Sequence, residues 1–120
     1  MTIEDNLKKN NLELPPAPDP VGAYVAGKII GNFLYISGQI SIESNGDLIK
    51  GKLGANLTVE EGYKAAERCA LNIMSQAKKI LLGDLSRILN CVKIVGFVNS
   101  THEFIDQPKV INGASDLLVK

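Results

Sequence analysis

Between Thr58 and Gly83 the chain carries one helical signal strong enough to commit it to a layered fold. Thr58 is a capping residue, and Glu61 follows three positions on, the pattern of a capping box. Ala66, Ala70, Ile73, Ala77 and Ile80–Leu81 fall on one stripe at helical spacing. Glu60 and Glu61 stand at the positive end of the helix dipole, and Lys78 and Lys79 at the negative end. Gly83 suits a C-terminal cap. A stripe built so largely from alanine allows close approach to a flat partner, and the expected partner is a β-sheet.

The sheet has candidates on both sides of this helix. Tyr24–Ile30 and Phe33–Ser37 are rich in β-branched and aromatic residues, and Gly31-Asn32 between them tolerates the positive φ of a tight hairpin. Ser44-Asn45-Gly46 marks another turn before a possible short edge strand at Asp47–Lys50. Cys91–Asn99, CVKIVGFVN, is almost continuously apolar and reads as a strand buried on both faces. Asp106 is a helix cap with Pro108 in the first turn, and Val110, Ile111, Ala114, Leu117 and Leu118 form a second apolar stripe. The order β-β-(β)-α-β-α predicts an α+β two-layer sandwich with both helices on one sheet face. Ahead of it, Thr2–Asn11 reads as a short polar helix or arm, and LPPAPDPVG as an extended, proline-fixed lead-in. The 120 residues fit a single domain, 1–120, with residues 1–20 as arm and lead-in.

Charge and chemistry narrow the function. Thirteen basic residues balance thirteen acidic ones, so no electrostatic footprint for nucleic acid is announced. The polar N-terminus has no apolar signal core, and no apolar run is long enough to span a bilayer. The expectation is a soluble, cytoplasmic protein with no membrane partner. Cys69 and Cys91 sit in apolar surroundings and read as small buried hydrophobes. His102 is the only histidine. It cannot build a metal site alone, and the expectation is no metal. GDLIKGK, Gly46–Lys52, matches seven positions of a phosphate-binding loop. Leu53 stands where a magnesium-binding hydroxyl is required, so nucleotide binding is rejected. Ser37 has no sequence-local base to make it a nucleophile. What remains is an apolar hairpin that ends in the polar Ser37-Gly38-Gln39.

Those residues belong to an ordered set: GAYVAG, GNFLYISGQI, GKLGANLTVEEGYKAAERCALNIM, LGDLSRIL, GFVNS and QPKVINGASDLL. Together, over about residues 12–120, they resemble the RidA family (YjgF-like, reactive intermediate/imine deaminase), in its NGASDLL-bearing branch. The resemblance implies a chorismate mutase-like sandwich assembled as a homotrimer, with small-molecule clefts between subunits. It places Tyr24, Ser37, Gly38 and Asn112 beside such a cleft as contacts for a small carboxylate. It leaves the catalytic residues of this chain unassigned. It implies hydrolysis of 2-imino acids to 2-keto acids and ammonia without metal or organic cofactor. The alternative is a non-catalytic trimer that binds or senses a small carboxylate. Some relatives carry the name L-PSP endoribonuclease, but the neutral charge argues against RNA as partner. In the family two further strands follow GASDLL, and the first bears an arginine that clamps the substrate carboxylate. That run is not among these 120 residues, and neither Arg68 nor Arg87 matches it.

Overall fold

The computed structural model describes residues 2–17, 19 and 22–119. Its elements are α1 (Ile3–Lys9), β1 (Gly27–Ile30), β2 (Phe33–Ile36), α2 (Val59–Ile80) and α3 (Gln107–Val119), with a 3-10 turn at Leu85–Arg87.

The α+β class holds, and α2 is the element on which the rest is built. Thr58 Oγ1 accepts from the Glu61 N–H while the Glu61 carboxylate accepts from the Thr58 N–H, so the capping box is closed from both sides. Ala66, Ala70 and Ala77 of the stripe are buried and Ile73 and Ile80 half-buried, and the buried face also takes in Gly62, Leu71, Asn72, Ser75 and Gln76. This face is wider than the apolar stripe because α2 has three neighbours. The hairpin, α3 and the N-terminal arm all rest on it.

β1 and β2 pair antiparallel in the register Gly27↔Ile36, Lys28↔Tyr35, Ile29↔Leu34 and Ile30↔Phe33. The strands are shorter than expected: Tyr24–Ala26 and Ser37 lie outside them, and of the two turn residues only Gly31 takes a positive φ, 60°. Gly27 meets α2 closely. A Cβ there would stand 2.5 Å from Ile80 Cδ1. Leu34 and Ile36 are half-buried, whereas Phe33 and Tyr35 stand on the open face with ring centroids 6.4 Å apart.

α3 crosses onto the first half of α2. A Cβ on Gly113 would fall 2.0 Å from the Tyr63 carbonyl oxygen, so only glycine permits this helix contact. Val110 packs on Gly62, and Leu117 joins Ala70 and Leu71 in a core cluster that Leu12 and Leu14 of the arm cover from outside. The arm is pinned where Ser75 Oγ donates to the Pro15 carbonyl, 2.7 Å away.

Two expected strands come out differently. Asp47–Lys50 contributes only an isolated antiparallel bridge, Ile42↔Leu48. Cys91–Asn99 forms no strand among the described residues, and it is not buried on both faces. Ile94 and Val98 are half-buried, and Gly96 lies against Ile111 of α3. Val95 and Phe97 face outward, 66% and 93% exposed. From Ile94 to Val98 only the side toward α3 is partly covered, and Val92 is 76% exposed.

Candidate functional site

The hairpin delivers its polar end by a simple device. Beyond β2 the chain continues the antiparallel pairing for one residue: the Ser37 N–H donates to the Ala26 carbonyl, 2.8 Å. The Ser37 hydroxyl then reaches the Val25 carbonyl at 2.5 Å, next to Tyr24. Gln39 Nε2 donates back to the Ser37 carbonyl, 3.1 Å. These bonds fix the backbone on both sides of Gly38. Gly38 itself is exposed, and among the described residues its N–H has no hydrogen-bond partner. A Cβ built there meets nothing within 4 Å, so the chain's own packing does not demand a glycine. Tyr24 is 45% exposed. Ser37 and Gly38 thus lie beside Val25, the residue after Tyr24, in a small candidate patch whose Gly38 amide has no partner among the described residues.

Asn112 is elsewhere. It is exposed on α3, between Ile111 and Gly113, at the level where α3 meets Tyr63. The hairpin meets α2 at Ile80. At 1.5 Å per helical residue, Tyr63 and Ile80 lie about 25 Å apart along α2. The Ile40 carbonyl, two residues past Gly38, accepts from Asn72, which is about 14 Å along α2 from Tyr63.

Arg68 lies on α2 with Nη1 buried and without a hydrogen-bond partner among the described residues, and Arg87 is exposed at the 3-10 turn. Two cavities of about 190 and 400 Å³ open beside Pro15 and Pro16 of the arm, away from Gly38. Among the described residues no group of three or more His, Cys, Asp or Glu is placed to hold a metal ion. None of their helices is long and apolar enough to cross a membrane. Burial pushes the Cys69 thiol up, while Cys91 is exposed, contrary to the buried reading.

Residues 4–120 match the family described as "YjgF/chorismate mutase-like, putative endoribonuclease". The chain belongs to this family. A crystal structure of a "putative endoribonuclease" from Shewanella oneidensis MR-1 superposes with a TM-score of 0.93 at 39% identity, covering 99% of this chain and 78% of that one. Atu1372 of Agrobacterium tumefaciens, described as of unknown function, gives a TM-score of 0.86 at 44% identity over 97% and 71% of the two chains. Protein TCP17 of Trypanosoma cruzi is 44% identical over 117 residues, which are 98% of this YjgF-like chain and 72% of TCP17.

Sequence reasoning missed the polar half of α2. Asn72 is 1% exposed, and its Nδ2 donates to the carbonyls of Ile40 and Ile42, both at 3.0 Å. It anchors the chain just after the candidate patch. On a helical wheel Ser75 lies opposite the alanine stripe and Asn72 about 140° from it, so the stripe gives no sign that either is buried.

Proposed function

We propose that this YjgF-family chain assembles as a homotrimer and binds a small 2-imino or 2-keto acid in clefts between its copies. The Gly38 amide carries the reading. An amide N–H without a partner among the described residues, on an exposed glycine, is a donor suited to a carboxylate. The Ser37 hydroxyl is the second donor, because a charge-assisted bond to a carboxylate competes well with its bond to Val25. Tyr24 borders the ligand. Asn112 joins from a neighbouring copy, as the between-subunit clefts of the family resemblance imply.

Surface area supports assembly. The chain exposes 8324 Å². A compact monomer of 12.9 kDa exposes about 6,300 Å². The excess, about 2,000 Å², suffices for two interfaces at about 800 Å² per partner, as a ring requires.

The chemistry of the reading is hydrolysis: water adds to the imine carbon, the C–N bond breaks, and ammonia and a 2-keto acid leave. It draws on no metal or organic cofactor. A second reading, binding without turnover, is favoured by one observation: neither arginine of these 120 residues, Arg68 or Arg87, matches the carboxylate-clamping run that the resemblance implies. The expected result is therefore ligand binding with keto-acid formation close to the buffer rate. Loss of an oriented electrostatic group costs about a hundredfold.

The test is calorimetric titration with a 2-keto acid, alongside 2-iminobutanoate generated enzymatically and followed as keto acid. Gly38→Val is expected to fold normally and to bind at least tenfold more weakly. Ser37→Ala is expected to lose about 1.5–3 kcal/mol of affinity. Unchanged binding in both variants removes the patch from the site, and turnover far above buffer removes the second reading. An RNA-cleavage arm addresses the endoribonuclease description, and the balanced charge predicts no cleavage.

A further inference from the structure

No further inference is drawn: the strongest candidate, the outward apolar face made by the hairpin and by the extended run 92–98, carries nothing beyond the assembly surface already proposed, because nothing in the structure shows what else covers it.

Discussion

Asn72 shows how one polar side chain positions a loop. A buried carboxamide is stable only if its donors are used, and Asn72 spends its own on two carbonyls of one short segment. Asn72→Ala leaves the Ile40 and Ile42 carbonyls without that donor and opens a small void. The expected cost is about 2–3 kcal/mol in a denaturant melt. The same variant is expected to weaken carboxylate binding, since Gln39 and Gly38 precede the released segment. A loss below about 0.5 kcal/mol would show that water replaces the amide without penalty. Gly113 makes the opposite point. Nothing polar is involved, yet its missing Cβ lets the Tyr63 carbonyl approach. Both residues act at the first-half and middle contacts of α2, and each is visible in the sequence only as a residue type.

At the level of elements, the two longest-established local rules give different outcomes at the two ends of α2. Its N-terminus obeys the capping box. Hydrogen bonds from the Thr58 backbone and side chain hold the Glu61 carboxyl below its ordinary 4.5. A folded value below the unfolded one means that the stabilisation is present above pH 4.5 and is lost as pH falls through the folded value. Glu61→Gln, which removes the titrating group, is therefore expected to lower the melting temperature at pH 7 and to flatten its decline below pH 4.5, followed by far-UV circular dichroism. A parallel decline in both proteins would assign the acid sensitivity to other groups. At the C-terminus the helix closes one residue earlier than the glycine suggests. Leu82 adopts φ 56°, and the Gly83 N–H donates to the Lys78 carbonyl at 2.8 Å. α1 ends with Asn11 at φ 54°, a residue type that tolerates this conformation. Leucine does not, and Leu82 is 91% exposed. Leu82→Gly is expected to stabilise the protein by about 1 kcal/mol. A lower midpoint would mean that the Leu82 side chain is covered in the assembly.

For the whole molecule, the decisive feature is a layer covered on one side. α2 and α3 face the hairpin and residues 91–99 from one direction, while Ile30, Phe33, Tyr35, Val95 and Phe97 are exposed in the other. This outward apolar face is the surface that the proposed trimer would bury. Phe97→Asp is expected to convert a trimer to monomer in multi-angle light scattering. In the wild type the exposed thiol of Cys91, on the same segment, is expected to react with a disulfide reagent more slowly as protein concentration rises. Concentration-independent reactivity together with a monomer mass would overturn the trimer and with it the shared cleft.

The sequence by itself determined the local elements and the family. The capping box, the alanine stripe, the hairpin and the Asp106–Pro108 helix start are set by contacts within a few residues, so spacing suffices to read them. The ordered motifs likewise identified the family that residues 4–120 match. The tertiary structure alone decided which faces are covered. Cys91–Asn99 reads as doubly buried because apolar side chains occur on both of its faces, and a sequence records their polarity but not whether a neighbour lies over them. The separation of Asn112 from Gly38 has the same origin. Both motifs border one cleft by resemblance, but the distance between them is fixed by where α3 and the hairpin dock along α2. That docking rests on Gly113 against Tyr63 and Gly27 against Ile80, two long-range contacts that no local pattern encodes.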